Sequence, residues 1–207
     1  MAIARETAGT IEQAEVVFDA IRDRRSFGRV RPERPPAAMI EAIIEAATWA
    51  PNHRLTEPWR FIVLAGDARN ALGEVMARSQ AERRAADPAA AREAATRAAA
   101  KPLRAPVIIA VAVEPATRPK VVEIEEITAG AAAIQNLLLA AHALGLATIW
   151  RTGDPTYDPA VKAFLELPPT ASLLGFVYVG YPDAPLPSRP RRPVAEVTTW
   201  RGWDDTR

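Results

Sequence analysis

The sequence predicts an α+β fold in which helices surround a single sheet. Two helical patterns come before the first strand-like segment, and strands and helices are then mixed without the β-α-β alternation of a parallel sheet. A helical stretch at residues 127–144 is apolar nearly all round, so most of its sides must be buried. The length of 207 residues fits one domain and is too short for two large ones.

The first elements of the chain are helices separated by proline-rich segments. A helix is predicted at residues 10–22, where apolar residues recur at helical spacing and Thr10 and Gln13 fit a capping box. A second helix at about residues 37–49 ends before Pro51, because a proline disfavours the helical conformation in the residue that precedes it. A strand at residues 59–64 and a helix that begins at residues 66–67 follow.

The second half of the chain contains the longest apolar segments. Within residues 78–101, Asp87 and Pro88 predict a new helix start, and much of that helix is polar, so we expect it to be exposed. In a chain of this size, the apolar helix at 127–144, capped by Gly145, indicates the centre of a dimer. The other elements are a strand at 106–113, a strand at 147–150, a helix at 159–165 and a strand at 173–180.

The composition excludes several classes of function. The 26 basic and 25 acidic side chains give a net charge of +1, which does not favour a nucleic-acid partner. Without cysteine there are no disulfides, thiolate metal sites or cysteine nucleophiles, and two histidines do not favour a metal site. The first residues contain no apolar run of signal-peptide length, and the apolar helix is short for a bilayer. We therefore expect a cytoplasmic protein without a membrane span or a metal.

Two groups of basic residues are candidates for anion binding. Arg24, Arg25 and Ser26 follow the first helix, and two guanidinium groups with a hydroxyl suit a phosphate monoester. The alternative is that cations at a helix C-terminus complement the helix dipole. Near the end of the chain, Arg189, Arg191 and Arg192 are further candidates, although a solvated, flexible end is the favoured explanation of each.

Two loops carry the remaining polar candidates. The loop before the first strand holds His53 and Glu57, which suit contacts to a flat ligand, unless it is a connection whose Trp59 fills the core. The segment from Trp150 to Gly153 offers backbone amides beside an arginine, and its alternative is an ordinary turn. There is no Gly-x-Ser-x-Gly elbow and no Gly-x-Gly-x-x-Gly fingerprint. Ligand-holding features without an evident catalytic side chain are typical of proteins whose bound cofactor carries the chemistry.

In this order the motifs resemble the nitroreductase family. The resemblance covers about residues 18–182 of a single domain at 1–207, and residues 183–207 form an extension that we expect to pack on a partner subunit. Thr-Glu-Pro-Trp at residues 56–59 resembles a small subgroup of that family. The motifs are Arg24-Arg25-Ser26, IIEAATWAPNHRLTEPW at 43–59, GAAAIQNLLLAAHALG at 130–145, WRTG at 150–153 and LGFVYVGYP at 174–182.

The resemblance implies a three-layer sandwich, with a central mostly antiparallel sheet surrounded by helices, in an intertwined homodimer with two FMN molecules at its interface. It implies phosphate contacts from Arg24 and Ser26, with Arg25 on the phosphate or the ribityl chain. The other implied contacts are His53 and Glu57 at the flavin or substrate face, and Trp150, Arg151 and Thr152 on the flavin from the other subunit. In this fold, residues 78–101 are placed where a lid over the flavin would form.

The activity implied is that of an FMN-dependent NAD(P)H oxidoreductase. Such an enzyme takes hydride from NADH or NADPH at flavin N5 and passes it, by a ping-pong mechanism, to a nitroaromatic, a quinone or another small oxidised acceptor. Glu57 stands where many relatives carry Gln or Asn, and its charge disfavours anionic substrates. The alternatives are a flavin-binding protein with little turnover, a different flavin chemistry on the same scaffold, and a helical interaction protein that binds no flavin.

Overall fold

The chain forms three layers, with a four-stranded sheet between two layers of helices. A computed structural model describes residues 11–186 and 190–203. The helices are α1 (Ile11–Asp23), α2 (Ala37–Thr48), α3 (Asp67–Glu82), α4 (Pro88–Ala100), α5 (Glu123–Ala143) and α6 (Pro159–Phe164). The strands are β1 (Trp59–Ala65), β2 (Val107–Val113), β3 (Ala147–Arg151) and β4 (Ser172–Gly180). The α+β class predicted from the sequence is confirmed.

The sheet has the strand order β1-β2-β4-β3, and every pairing between these strands is antiparallel. The pairing of β2 with β4 is continuous except for one bulge. Val111 pairs with Gly175 and the next residue of β2, Ala112, pairs with Leu173, so β4 contains one extra residue beside Gly175. Gly175 has a φ of 140°, and a Cβ atom there would lie 2.5 Å from Trp150 Nε1. Only glycine fits this close approach without strain. The bulge therefore fixes where the Trp150 side chain lies on the edge strand.

Strand β2 lies at the centre of the molecule and divides its core in two. All seven residues of β2 are buried, as its continuous apolar sequence predicted. Ile109 and its same-face neighbours pack against α2 and α5, whereas Ile108 and the alternate residues pack against α3, α4 and α6. The sheet is thus covered on both faces, as in the expected three-layer sandwich.

Helix α5 begins at Glu123, four residues before the position predicted from the apolar pattern. The prediction was wrong because the first turn is acidic: Glu123, Glu125 and Glu126 interrupt the apolar run, yet they favour the positive end of a helix dipole. Gly130 lets this helix approach the sheet, since a Cβ atom there would lie 2.5 Å from the side chains of Val113 and Leu174.

Helix α1 is present where the sequence predicted it, but none of its residues is buried. The apolar stripe along it, which includes Val16, Phe18 and Ile21, is largely exposed in the single chain. The predicted cap Thr10 lies outside the described residues. This helix therefore contributes little to the core of its own chain.

Helix α4 packs on α3, on the sheet face opposite α2 and α5. Asp87 caps it as predicted, and its side chain accepts hydrogen bonds from the backbone N–H groups of Ala89 and Ala90. The helix is less exposed than predicted, because Ala98 is buried and the carbonyl oxygen of Ala99 lies 2.5 Å from where a Cβ atom of Gly73 would be. Among the described residues, no helix is long and apolar enough to cross a membrane.

Candidate functional site

The segment Arg24-Arg25-Ser26 runs along the free edge of the sheet, beside β3. Ser26 forms a parallel bridge with Thr148, and the backbone N–H of Phe27 donates to the carbonyl of Thr148 at 2.9 Å. The segment thus extends the sheet by one short strand. Because β3 ends in Arg151, the structure brings the Arg24–Ser26 and Trp150–Gly153 motifs side by side.

Arginine side chains converge at this edge without acidic partners. The Nε atoms of Arg24 and Arg25 are buried and have no hydrogen-bond partner, and no described carboxylate forms an ion pair with either residue. Burial lowers the pKa of the Arg24 guanidinium, and the charges of Arg25 and Arg191 lower it further. We call this cluster of Arg24, Arg25, Ser26 and Arg191 the arginine corner. Its donors fit a phosphate monoester.

Arg191 belongs to the corner although it lies in the C-terminal extension, where the sequence did not distinguish it from Arg192. The positive charge of Arg191 lowers the pKa of Arg24, which lies about 170 positions earlier in the sequence. Arg192 is not among the residues that lower this pKa. Arg189 lies outside the described residues. The backbone passes beside the corner through Asp183, whose N–H donates to the carbonyl of Arg29 at 3.2 Å. The extension is therefore placed where it supplies a third cation.

The loop that carries His53 and Glu57 has an unusual backbone. Arg54, Leu55 and Glu57 all have positive φ angles, of 59°, 50° and 47°. Residues other than glycine rarely adopt this left-handed region, and each one costs on the order of 1 kcal/mol. Asn52 stabilises the loop, because its Oδ1 accepts a hydrogen bond of 3.1 Å from the backbone N–H of Glu57.

Two carboxylates at the start of α5 hold this loop in place. Glu125 Oε2 lies 2.5 Å from His53 Nδ1, and the hydroxyl of Thr56 donates to Glu126 Oε1 at 2.8 Å. Glu126 is only 1% exposed, and its other oxygen accepts from the N–H of Ala116 at 3.4 Å. The sequence reasoning missed both glutamates. Their only signal was an acidic cluster before an apolar helix, which equally fits a helix dipole.

The side chains at the end of β3 point to opposite faces of the sheet. Trp150 lies over Gly175, and its indole Nε1 donates to the carbonyl of Leu174 at 3.0 Å. Arg151 lies on the face of α3 and α4, with its guanidinium 5.5 Å from the ring centre of Tyr178. Thr152 is exposed, so this segment presents mainly backbone and a hydroxyl to a ligand at the sheet edge.

The predicted site residues form two groups rather than one. The arginine corner lies near the C-terminal end of α5, because Ser26 pairs with Thr148 just after it. The loop with His53 and Glu57 lies at the N-terminal end, where Glu125 is. Helix α5 has 21 residues and a length of about 30 Å, which is longer than a mononucleotide. The two groups thus lie towards opposite ends of α5 in one chain. The end of β3 lies between them, because Trp150 contacts Leu174, which packs against Gly130 of α5.

Large apolar side chains are exposed beside the His53 loop and in the C-terminal extension. Trp49 and Leu55 flank the His53 loop and are about 80% exposed. At the end of the chain, Trp200 and Trp203 pack edge to face against each other, with ring centres 5.1 Å apart, and both remain exposed. Across residues 11–186 and 190–203, no three His, Asp or Glu side chains form a group suited to a metal ion.

Residues 21–181 match the nitroreductase family model. YfhC of Bacillus subtilis, which bears the name "putative NAD(P)H nitroreductase", is 29% identical over 91% of this chain and 96% of its own length. YdjA of Escherichia coli, with the same designation, is 30% identical over 78% of this chain and 85% of its own. A nitroreductase from Bacteroides fragilis with bound FMN is 26% identical and superposes with a TM-score of 0.70, covering 89% of this chain and 98% of that one.

Proposed function

The chain belongs to the nitroreductase family, and from this premise we propose that it is an FMN-dependent oxidoreductase that uses NADH or NADPH. The observation that carries the proposal is the arginine corner, where two buried Nε atoms have no partner within the described part of the chain. Buried polar groups are almost always hydrogen-bonded in native proteins. A phosphate monoester at this position supplies the missing acceptors and neutralises the converging cations.

The residues of the corner would hold FMN by its phosphate. Arg24 offers guanidinium donors, Ser26 offers a hydroxyl, and Arg191 adds a charge from the C-terminal extension. Arg25 offers its remaining donors, because its Nη1 already donates to the carbonyls of Arg22 and Arg24. FMN held there would supply the chemistry of hydride transfer between the nicotinamide and an oxidised acceptor. The chain's own contribution is to bind the cofactor, orient it and limit the access of water.

The residues at the other end of α5 would contact the flavin or the acceptor. Glu125 orients the imidazole of His53, and Asn52 fixes the backbone of Glu57 in its left-handed conformation. Both side chains are exposed, so both are available to a ligand. The carboxylate of Glu57 repels anions, which favours neutral acceptors such as nitroaromatics or quinones over carboxylated ones.

We further propose that the active form is a homodimer, with each FMN held by both chains. The arginine corner pairs with β3 just after the C-terminal end of α5, whereas the His53 loop is held at its N-terminal end. A second copy would bring the two groups of residues together on one cofactor. The exposed apolar stripe of α1, together with Trp49 and the tail residues Trp200 and Trp203, gives such a copy a surface to cover.

The visible absorption spectrum of the purified protein tests the proposal most directly. We expect flavin bands that bleach when NADPH or NADH is added without oxygen, and that return when an acceptor is supplied. Arg24→Ala should be purified with less flavin, whereas Arg92→Gln, which removes an exposed arginine on α4, should retain it. A colourless protein that takes up no added FMN would contradict the proposal. Bound flavin without steady-state NAD(P)H consumption would instead indicate a flavin-binding protein with little turnover.

A further inference from the structure

A second group of cations surrounds a small cavity on the other face of the sheet. The cavity has a volume of about 140 Å³ and lies between the end of β3 and the α3–α4 layer. Lys101, Arg104 and Arg151 line it together with the buried side chains of Met76, Phe176 and Tyr178. Its wall therefore combines three positive charges, a phenol and an apolar floor.

These three cations have no acidic partners. Among the described residues, no carboxylate forms an ion pair with Lys101, Arg104 or Arg151. The Nε atom of Arg151 is buried and has no hydrogen-bond partner. Tyr178 is 5% exposed, and the interaction of its ring with the Arg151 guanidinium does not neutralise a charge. Three like charges beside an apolar wall repel one another more strongly than they would in water.

We propose that this cavity binds a phosphoryl group, either as inorganic phosphate or as the terminal phosphate of a larger molecule. A tetrahedral dianion accepts several hydrogen bonds at once and matches the forked donors of Arg104 and Arg151. Lys101 adds a point charge. The cavity exceeds the roughly 30 Å³ that one water occupies, but it is smaller than the roughly 300 Å³ at which pockets for drug-sized ligands begin. It therefore holds one phosphoryl group and not a whole nucleotide.

The cavity differs from the arginine corner in both position and residues. The corner lies along the sheet edge beside Ser26, whereas the cavity lies under α3 and α4 and shares none of the corner's four residues. The two adjoin at Arg151, whose Nη2 lies 3.2 Å from where a Cβ atom of Gly28 would be, and Arg151 and Thr152 also belong to the segment expected to contact the flavin. Arg104 also lines a neighbouring open pocket of about 390 Å³ that contains Arg31 and Arg69. Arg31 is paired with Glu33, so Arg69 is the residue that extends the positive surface outward and raises the local concentration of anions near the cavity. The proposal does not depend on FMN being the cofactor.

Calorimetric titration of inorganic phosphate tests the site. The protein is first saturated with FMN, so that the arginine corner is filled, and chloride keeps the ionic strength constant. We expect saturable binding of one phosphate per chain. Arg104→Gln and Lys101→Gln should each weaken it about tenfold, or about 1.4 kcal/mol, because each removes one charged donor. Arg92→Gln removes the same charge from α4 away from the cavity and should leave the affinity unchanged.

A thermal melt of each variant without phosphate shows whether it is folded, and phosphate should raise the melting temperature of the wild type more than that of Arg104→Gln. Titration with glycerol phosphate shows whether the ligand is free phosphate or the terminal phosphate of a larger molecule. If glycerol phosphate binds as tightly as inorganic phosphate, the ligand is a larger phosphorylated molecule. If inorganic phosphate binds more tightly, the ligand is the free ion. Absence of saturable binding, or equal binding by wild type and Arg104→Gln, overturns the proposal. So does phosphate binding that disappears in Arg24→Ala and persists in Arg104→Gln, since the anion then occupies the corner.

Discussion

The two ends of helix α5 carry opposite charge and use it in different ways. At the N-terminal end, the carboxylates of Glu125 and Glu126 are already engaged, with His53 and Thr56. At the C-terminal end, Arg24 is half-buried beside other cations and its Nε has no partner. Charges that are satisfied within the chain hold a loop in place, and charges that are left unsatisfied indicate where a ligand belongs. The signs also follow the helix dipole, which favours anions at the first end and cations at the second.

The largest effect should come from the middle of α5, on which both ends depend. Leu138→Asp places a charge in a buried apolar position without a partner, which costs more than about 4 kcal/mol. We expect loss of the folded protein, measured by circular dichroism and size-exclusion chromatography. Leu138→Met conserves the volume and should cost less than about 1.5 kcal/mol. A soluble, folded Leu138→Asp protein would show that this residue does not belong to the core.

The next largest effect should appear at the cationic end. Arg24→Ala removes a charged hydrogen-bond donor and should weaken FMN binding by roughly 1.5–3 kcal/mol, measured by flavin fluorescence titration. Arg191→Ala should weaken it as well, whereas Arg192→Ala should not, because only Arg191 acts on Arg24. Equal affinities in wild type and Arg24→Ala would remove the corner from the cofactor site.

At the N-terminal end of α5, loss of the hydrogen bond between Thr56 and Glu126 should reduce the free energy of unfolding, by less than Leu138→Asp does. Thr56→Val leaves the buried carboxylate of Glu126 without the hydroxyl that donates to it, at a cost of roughly 1–3 kcal/mol in the free energy of unfolding. Thr56→Ser keeps the hydroxyl and should stay close to the wild type in a urea titration. An unchanged stability of Thr56→Val would mean that the loop is not held through Glu126.

We expect the smallest effect from Glu57→Gln. This variant removes the charge of a carboxylate that forms no ion pair within the described part of the chain. Its side chain is exposed, so we expect unchanged stability and unchanged FMN binding. Anionic acceptors should gain in kcat/KM relative to neutral ones, measured across a panel of quinones and nitroaromatics of different charge. Glu74→Gln, at an exposed position of α3, is the matched control. Identical acceptor preferences would place Glu57 outside the site.

The fold was largely predictable because it depends on periodic patterns along the chain. The predicted helices and strands are present, and most boundaries differ by one or two residues. The exception is the start of α5, where acidic residues conceal a helix that the dipole stabilises. The exposed apolar stripe of α1 shows a second limit of sequence prediction. A periodic pattern indicates that a helix has an apolar face, but it does not show what covers that face.

The site was predictable only where its residues are adjacent in the sequence. Arg24 and Arg25 form a visible motif, and their unpaired Nε atoms support the proposal of a phosphate site there. Two other features depend on the proximity of segments that are distant in the sequence. These are the placement of Arg191 rather than Arg192 beside Arg24, and the hydrogen bond from Thr56 to Glu126. The cavity at Arg104 depends on how α4 packs on α3. No local pattern carries such information.

The absence of buried residues in α1 bears on the order in which the protein assembles. A helix of 13 residues is marginal in water when nothing packs on it, so in the proposed dimer α1 would become firmly ordered when the second chain covers its apolar stripe. Arg24 follows α1 directly, with its backbone N–H donating to the carbonyl of Ala20. In the proposed dimer, pairing of the chains and loading of the cofactor are therefore linked equilibria, each strengthening the other by the same factor. Dilution then loosens the cofactor before the rest of the chain unfolds.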